Sequence, residues 1–396
     1  MPAASPSTLT FDCIVVGGGP AGLTTAIALG EAGARTALAA RRVAYGDNRT
    51  TALLGRSLDL LERLGVWQRC AEAAAPLRAM RLVDDTGRLF RAPEVRFDCT
   101  EIGLETFGFN IENRTLVAAL EAASDECQNL IRIDDEAERI VPANAAVEVR
   151  THDGQTLLAP LVVGADGRRS LCREAAGIAV TRRSLNQAAV TFNVSHSRPH
   201  HDASTEFHTP HGPCVFVPLP GNRSSVVWVT TPAEAERLVA MSDAALAQAA
   251  ERQSHSILGS MQVAPGRHSF PLAIERPQQV AARRIALVGE AAHVIPPIGA
   301  QGLNLGLRDA ADLAAIVGPV LAHNEDPGAP ATLSRFAAAR RADVASRVWS
   351  VDLANRSLLA DLLPVQAARA LGMHMLAHVG PLRRMAMREG LSPSWR

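Results

Sequence analysis

The chain has 396 residues, of which 47% are hydrophobic, so we expect a folded protein with two connected domains, or one domain with a large insert. Its formal charges balance, with 40 Lys and Arg against 40 Asp and Glu, which argues against nucleic acid as a partner. The sequence contains no Lys, which excludes Schiff-base catalysis by a lysine and a phosphate-binding loop of the Walker type.

The remaining composition predicts neither a metal site nor export. The six cysteines are far apart and lack metal-ligand spacing, so we expect reduced, mostly buried thiols of a cytoplasmic protein. His200, His201, His208 and His211 are irregularly spaced among Pro, Asp and Thr, which favours a solvated loop over a metal site. The sequence shows no signal peptide and no uninterrupted apolar run of about 18 residues, so no membrane-spanning helix is expected.

The first chemical motif is CIVVGGGPAGLTTA, at 13–26. A short apolar strand runs into a glycine turn and then into a helix with apolar periodicity, which is the context that gives G-x-G-x-x-G its meaning. Gly17 permits the tight turn, Gly19 lets a pyrophosphate approach the backbone, and Gly22 lets the helix pack closely on the strand. The sequence therefore predicts a dinucleotide whose phosphates lie at the helix N-terminus.

The second predicted strand lacks the partner that such a motif usually has. This strand runs from Arg35 to Ala40 and should end in an acidic residue that binds the adenosine ribose, about 20 residues after the glycines. Here Ala39 and Ala40 are followed by Arg41 and Arg42. Another group must hold the ribose, or the adenine end is bound loosely, and Arg41 is a candidate for a phosphate or for the adenine ring.

Two further strands each deliver a carboxylate into a loop. LVVGADGRRSLCR, at 161–173, places Asp166 after a strand, and IALVGEAAHVIPPIGAQGLNLGLRDA, at 285–310, places Glu290 after another. Carboxylates in such loops suit hydrogen bonds to sugar-like hydroxyl groups, and the second loop leads into another helix N-terminus. Three sites of this kind in one chain predict a single long ligand.

These motifs resemble those of group A FAD-dependent aromatic hydroxylases and, within that class, the ubiquinone-biosynthesis hydroxylases. The similarity extends over essentially the whole chain and rests on GGGPAG, GDNRTTALLGRSLDLLERLGVW at 46–67, DGxxSxxR, EFHTPHGPCVFVPLP and GEAAHVIPPIGAQGLNLG. It implies an α/β fold: a glutathione-reductase-like FAD-binding fold with a Rossmann-type parallel sheet, a β-sheet substrate domain and a C-terminal helical segment.

The resemblance also implies a division of the chain. The expected FAD-binding domain is discontinuous and covers 1–75, 96–180 and 280–340. The β-rich substrate domain covers 76–95 and 181–279, and the C-terminal helical region covers 341–396. Within the substrate domain, the β-formers at 187–195, 213–219 and 224–231 predict antiparallel strands. Their sheet is expected to form the apolar roof of a cavity, and the alternative, that it merely covers the core, stays open.

The family implies roles for particular residues. Arg49 reaches toward the FAD pyrophosphate, Asn113 meets the flavin, and the loop at Asp166 serves both FAD and the nicotinamide reductant. Glu290 stands where the family usually has Asp on the ribityl chain, and its side chain is one methylene longer. The full implied cofactor set is Gly17, Gly19, Gly22, Arg49, Asn113, Asp166, Gly289, Glu290, Pro297, Gly299, Gln301, Gly302, Leu303 and Asn304.

The loop at 296–304 is expected to wrap the pyrimidine side of the isoalloxazine. Reduced flavin is negatively charged near N1 and O2, and the N–H groups of Gly302 and Leu303 at a helix start would stabilise that charge. His293 lies beside this loop and is the candidate catalytic residue, for proton transfer or substrate positioning. The alternative, that it only braces the loop through hydrogen bonds, stays open.

The resemblance implies a reaction in which NAD(P)H or another donor reduces FAD, O2 gives a flavin C4a-hydroperoxide, and one oxygen passes to an electron-rich ring. The expected substrate is a polyprenylated phenol of ubiquinone biosynthesis. One alternative is a same-fold epoxidase or a hydroxylase of a soluble aromatic compound. A second alternative is a non-catalytic assembly partner in a biosynthetic complex.

The C-terminal stretch at 358–391 combines Leu and Met faces with Arg369, Arg383, Arg384 and Arg388. An amphipathic segment of this kind can lie on a membrane surface, which would make the protein peripheral at the inner membrane. The same face is also typical of a segment that packs on the protein body or on a partner subunit.

Overall fold

The computed structural model describes residues 8–43, 46, 48–360 and 362–391. The helices are α1 (Pro20–Glu31), α2 (Arg56–Arg63), α3 (Asn113–Glu126), α4 (Leu171–Ala175), α5 (Pro232–Ala240), α6 (Asp243–Gln253), α7 (Gln301–Ala322), α8 (Pro330–Leu359), α9 (Leu363–His378) and α10 (Gly380–Leu391). Short 3-10 helices lie at Trp67–Arg69, Ala71–Ala73, Cys99–Ile102 and Gly289–Ala291.

The strands of the first half are β1 (Thr8–Thr10), β2 (Cys13–Val16), β3 (Thr36–Ala39), β4 (Thr50–Leu54), β5 (Ala75–Pro76), β6 (Ala79–Asp84), β7 (Val95–Asp98), β8 (Gly108–Glu112), β9 (Leu130–Ile133), β10 (Ala137–Pro142), β11 (Val147–Thr151), β12 (Thr156–Ala159) and β13 (Leu161–Gly164). Those of the second half are β14 (Val180–His196), β15 (Ala203–Thr209), β16 (Gly212–Leu219), β17 (Arg223–Thr230), β18 (Met261–Val263), β19 (His268–Pro277), β20 (Ala281–Ala282) and β21 (Ile285–Leu287).

A six-stranded sheet in the order β20-β21-β13-β2-β3-β9 is the centre of the fold. Its strands from β21 to β9 are parallel, and β2 is buried along its whole length because apolar cores cover both faces. This confirms the predicted α/β fold with a Rossmann-type sheet. The three predicted motifs follow β2, β13 and β21, which are neighbours, so their loops meet at one edge of the sheet.

The turn between β2 and α1 requires its glycines. Gly17 has a φ of +113°, a conformation that residues with a side chain rarely adopt. A Cβ on Gly22 would lie 1.9 Å from the carbonyl oxygen of Gly17, so only glycine lets α1 start this close to the strand. The turn and the close packing that the motif predicts are both present.

A second, larger sheet has the order β18-β14-β17-β16-β15-β6-β7, and β19 also pairs with β14. The predicted strands at 187–195 and 213–219 lie within β14 and β16, and the one at 224–231 matches β17 except for its last residue, which caps α5. They pair antiparallel, which confirms them. Helices α5 and α6 cover one face of this sheet around Phe192, Phe207 and Phe216. The other face points toward the carboxyl edge of the parallel sheet.

The C-terminal helices α9 and α10 pack against the large sheet and against the segments around Leu54 and Leu77. Arg369 of α9 makes a buried ion pair with Asp84 of β6, at 3.0 Å. On α10, Met387 is buried in a cluster with Leu54 and Leu77. Apolar side chains nevertheless remain exposed along the outer side of these helices, at Leu362, Leu363, Leu371, Met375, Val379 and Met385. Across the residues that the structure covers, no helix is long and apolar enough to cross a bilayer.

All six cysteines are buried and unbridged, as expected. The solvated loop predicted around the four histidines is wrong for His208. This residue lies on β15, which pairs with β6 and β16, and its buried Nε2 is 3.0 Å from a carboxylate oxygen of Glu206. The strand pairing removes His208 from water, whereas His201 is exposed. Among the described residues, no three His, Cys, Asp or Glu side chains are arranged to hold a metal ion.

Candidate functional site

A cavity of about 710 Å³ lies between the carboxyl edge of the parallel sheet and the open face of the large sheet. The loops after β2 and β21 form its floor, together with β4 and the start of α7. Most of the predicted site residues line this cavity: Gly19, Arg49, Asn113, Gly289, Glu290, His293, Pro297, Gly299, Gln301, Gly302 and Leu303. The structure therefore brings segments from distant parts of the chain into one site.

Other predicted residues lie behind the cavity wall. Asn304 is buried, and its side-chain amide donates to the carbonyl oxygens of Ala52 and Ala300, both at 2.7 Å. The Oδ1 of Asn304 accepts from the N–H of Leu54, at 3.1 Å. These bonds tie the start of α7 to β4, so Asn304 shapes the loop and its side chain does not face the cavity. Gly17 and Gly22 likewise act through the turn that they allow.

Asp166 lies at the end of β13, between two residues that line the cavity. Its Oδ2 accepts the N–H of Cys172, at 3.0 Å. Its Oδ1 is buried and has no hydrogen-bond partner within the described ranges. A buried carboxylate oxygen without a donor is costly, so this atom is suited to a hydroxyl group of a ligand.

The loop around Asp166 is braced by the rest of the DGxxSxxR pattern. Ser170 caps α4 by accepting the N–H of Arg173, at 2.9 Å. The buried guanidinium of Arg173 donates to the carbonyl oxygens of Arg168 and Ala291, at 2.7 and 3.1 Å. One arginine therefore holds the loops after β13 and β21 together, and this explains the spacing of the motif.

Two helices present their N-termini to the cavity. Neither α1 nor α7 has a side-chain cap or an acidic residue in its first turn, so their first N–H groups are not satisfied by a side chain. Ala300, just before α7, has a left-handed φ of 53°, which turns the chain sharply into the helix. Both helix dipoles favour a negatively charged ligand group at these points.

A buried charge network supports the loop after β21 from behind. Asp309 of α7 accepts the N–H of Gly289 at 3.0 Å, the Nε2–H of His293 at 2.7 Å and the Nε–H of Arg340 at 2.5 Å. Burial alone would raise the pKa of Asp309, but Arg340 and His293 outweigh this effect and hold the pKa well below its ordinary value. The carboxylate is therefore charged and fixes both Gly289 and His293.

His293 is buried and lines the cavity. Because its Nε2 is committed to Asp309, the imidazole ring has one orientation. Its Nδ1 has no partner among the residues that the structure describes. The structure thus shows the bracing contact that the sequence left open, and it leaves the second ring nitrogen for a ligand.

The large sheet forms the opposite wall of the cavity. Adjacent strands place six lining residues in register across this face, in the order Leu82, Glu206, Val215, Val227, Thr191 and His268. Val215 and Val227 make the centre of this row apolar. Polar residues flank them on both sides, and the apolar Leu82 forms one end of the row. The hydroxyl group of Thr191 is buried and has no partner in the described part of the chain, which suits a polar group of a bound substrate.

Comparisons with known proteins show which family the chain belongs to. A family model described as an FAD binding domain matches residues 10–350. A ubiquinone hydroxylase of Rhodospirillum rubrum, UbiL, is 33% identical, with 98% of this chain and 91% of that protein covered. The chain belongs to the family of FAD-dependent monooxygenases. The 3-demethoxyubiquinol 3-hydroxylase of Escherichia coli is 30% identical, with 95% of this chain and 97% of that protein covered.

Solved structures show the same fold at lower identity. The p-nitrophenol 4-monooxygenase PnpA of Pseudomonas putida superposes with a TM-score of 0.79 at 20% identity, with 97% of this chain and 98% of that chain covered. The predicted combination of a parallel sheet, a second β-sheet and C-terminal helices is thus a known flavoprotein architecture.

The residues present fit FAD. A long dinucleotide needs a phosphate site, hydroxyl acceptors and a site for the flavin ring. The uncapped N-terminus of α1 can supply the first and the buried Oδ1 of Asp166 an acceptor. The uncapped N-terminus of α7 opens on the cavity that would receive the ring.

Sequence reasoning missed several residues of this flavoprotein site. Asp309 and Arg173 lie inside quoted motifs, so their positions in those motifs were a usable signal. Glu206 begins the motif EFHTPHGPCVFVPLP, but neither it nor Thr191 or His268 could be assigned to the site, because only the strand register shows that they share one face.

Proposed function

We propose that this monooxygenase hydroxylates the aromatic ring of a polyprenylated phenol in ubiquinone biosynthesis, with NAD(P)H or another donor as reductant and O2 as co-substrate. One observation carries the proposal: a single cavity connects the flavin-side loops to a sheet face whose centre, at Val215 and Val227, is apolar. Such a space suits a ring with an apolar substituent. The similarity to two ubiquinone hydroxylases supports the same substrate class.

The N-terminus of α1 and the side chain of Arg49 would hold the pyrophosphate, since both donate hydrogen bonds to anions. Asp166 would accept a hydrogen bond from a hydroxyl group of FAD, and Glu290 would accept one from the ribityl chain. Asn113 is buried at the start of α3, where its Oδ1 accepts from Thr51 at 2.6 Å, and it would contact the flavin ring. When bound and reduced, FAD supplies the activation of O2.

The N–H groups of Gly302 and Leu303 would stabilise negative charge on the pyrimidine side of a bound flavin. His293 is a positioning residue, since its Nε2–H bond to Asp309 fixes the loop that carries Glu290. Its Nδ1 is the atom that can contact a ligand. The protein thus contributes orientation and exclusion of water, and few of its side chains need to move protons.

The prenyl tail gives a reason for peripheral contact with the membrane. Helices α9 and α10 expose Leu371, Met375 and Met385, and α10 also carries Arg384 and the exposed Arg388. An apolar face with arginine beside it binds an anionic bilayer surface. We propose that this face lies on the inner membrane, where a lipid-tailed phenol is available, or against a partner in a biosynthetic complex.

The test is turnover by the FAD-loaded protein. We expect NADH or NADPH oxidation to accelerate with a prenylated phenol and to yield a product that is one oxygen heavier by mass spectrometry. The variant Val227→Trp, which fills the cavity, should retain FAD and lose product. Val141→Trp, at an exposed site on β10, is the matched control and should behave like the wild type.

Each other result would change the proposal. Turnover of a soluble phenol alone would favour the hydroxylase of a soluble aromatic compound. Protein that binds FAD but forms only peroxide with every phenol would refute the proposed substrate class. Protein that never retains FAD would support the non-catalytic assembly partner.

A further inference from the structure

The end of β3 has no side chain that can accept a hydrogen bond from the adenosine ribose. The strand ends at Ala39, and the buried Ala40 follows. Arg41 is turned to Asp135, at 3.1 Å, and Arg42 to Asp125, at 2.6 Å. Both arginines are about half exposed and neutralised by these carboxylates. Neither therefore replaces the missing acidic residue.

Arg132 lies on the next strand, β9, in register with Leu38 of β3. Its side chain is only 12% exposed. One nitrogen, Nη1, donates to the carboxylate of Glu121. The other two, Nε and Nη2, are buried and have no hydrogen-bond partner among the residues that the structure describes. Burying the N–H donors of a charged guanidinium without acceptors costs free energy. We therefore expect these two nitrogens to donate hydrogen bonds to a bound ligand.

The glycine turn shows where these donors lie. A Cβ placed on Gly18 would be 3.7 Å from Nη2 of Arg132 and 2.9 Å from the Cβ of Ala40. The guanidinium, the glycine turn and the end of β3 therefore surround one small region. In a dinucleotide-binding sheet, this region beyond the carboxyl ends of the first two strands receives the adenosine ribose.

We propose that Arg132 binds the adenosine ribose of FAD and takes the place of the missing carboxylate. A ribose hydroxyl group both donates and accepts hydrogen bonds, so a guanidinium can hold it through the oxygen where a carboxylate would hold it through the hydrogen. Ala40 keeps space for the sugar beside the arginine. The inference rests on FAD as the cofactor and does not depend on which phenol is hydroxylated.

The experiment measures the dissociation constants of FAD and of an FAD analogue whose adenosine ribose lacks both hydroxyl groups, by flavin fluorescence, with apoprotein. Wild type should bind FAD about 10- to 100-fold more tightly than the analogue, the effect of one or two hydrogen bonds to a charged group. Arg132→Gln should weaken FAD by a similar factor and remove most of the difference between the two ligands. Arg41→Gln, the exposed control, should keep that difference.

Two results would overturn the proposal. One is a wild-type protein that binds FAD and the analogue equally, which can be measured even when the Arg132→Gln protein does not fold. The other is an Arg132→Gln protein that still prefers FAD over the analogue by the wild-type factor, because a merely structural role would weaken both ligands together.

Discussion

Replacing Asp309 with Asn is the most direct test of the buried charge network that supports the loop after β21. All three partners of this carboxylate are donors: the N–H of Gly289, the Nε2–H of His293 and the Nε–H of Arg340. An Asn side chain has one oxygen, which accepts, and one NH2 group, which donates. In either orientation, the NH2 group therefore lies against at least one of these N–H donors and cannot bond to it. The change also removes the negative charge that lies closest to Arg340.

The expected cost follows from the geometry. Removing one member of a buried ion pair typically destabilises a protein by about 3–5 kcal/mol. Here Asp312 and Asp343 remain near Arg340, at 2.7 and 3.1 Å. Their negative charges still neutralise part of the buried positive charge of Arg340. We therefore expect Asp309→Asn to lower the free energy of unfolding by about 3 kcal/mol.

Urea unfolding of the apoprotein measures this loss. Asp312→Asn is the matched control, because Asp312 pairs with the same arginine but is 19% exposed, and we expect it to cost about 1 kcal/mol. Asp309→Asn should also weaken FAD binding more than the control does, since Asp309 accepts the N–H of Gly289, whereas Asp312 accepts from Nη1 of Arg340. A loss below about 1 kcal/mol, or one equal to that of the control, would refute the reasoning.

The other predictions concern the turn, acid stability and α9. Gly22→Ala should abolish FAD retention, because the new Cβ would lie 1.9 Å from the carbonyl oxygen of Gly17; retained yellow colour would contradict this. The pKa of Asp309 is lower in the folded protein than its ordinary value. Its ionised carboxylate therefore stabilises the fold at pH values above the usual Asp pKa of about 3.9. The stability gap between wild type and Asp309→Asn should shrink as pH falls below about 4, and a constant gap would contradict it. Arg369→Met should lower the free energy of unfolding by about 3 kcal/mol, because it leaves the buried carboxylate of Asp84 without its cationic partner. Unchanged urea unfolding would exclude that ion pair as a stabilising contact.

Matched variants separate these effects from general damage. Gly372→Ala places a Cβ on α9 where no atom lies within 4 Å, so it should keep both FAD and stability. Arg388→Met removes an exposed arginine of α10 and should leave urea unfolding unchanged, in contrast to Arg369→Met.

Local patterns predicted the parts of the fold that depend on neighbours along the chain. The glycine spacing at Gly17 and Gly22 indicated the strand, the turn and α1, because sterics at that turn admit no other residue there. The β-formers indicated β14, β16 and β17. The convergence of three motifs also followed from the sequence, since each follows a strand and parallel strands end at one edge.

Contacts between distant segments could not be read in this way. His208 was predicted in a loop because the four histidines are irregularly spaced among Pro, Asp and Thr, yet pairing with β6 buries it. The sequence places Asn304 in the loop expected at the cofactor, but it does not show that the side-chain amide donates to the carbonyl oxygen of Ala52 on a distant strand. The unpaired nitrogens of Arg132 are visible only in three dimensions, because the sequence does not show that β9 lies beside β3.

The C-terminal helices complicate any test of membrane contact, because they support the cavity from two sides. Arg340 of α8 holds Asp309, and Met387 of α10 packs on leucines that line the cavity. Deleting these helices would therefore damage FAD binding and the substrate wall together. Only substitutions on the outer face, such as Leu371→Ser with Met375→Ser, can separate the functions: they should reduce binding to anionic vesicles and leave the turnover of a detergent-solubilised phenol intact.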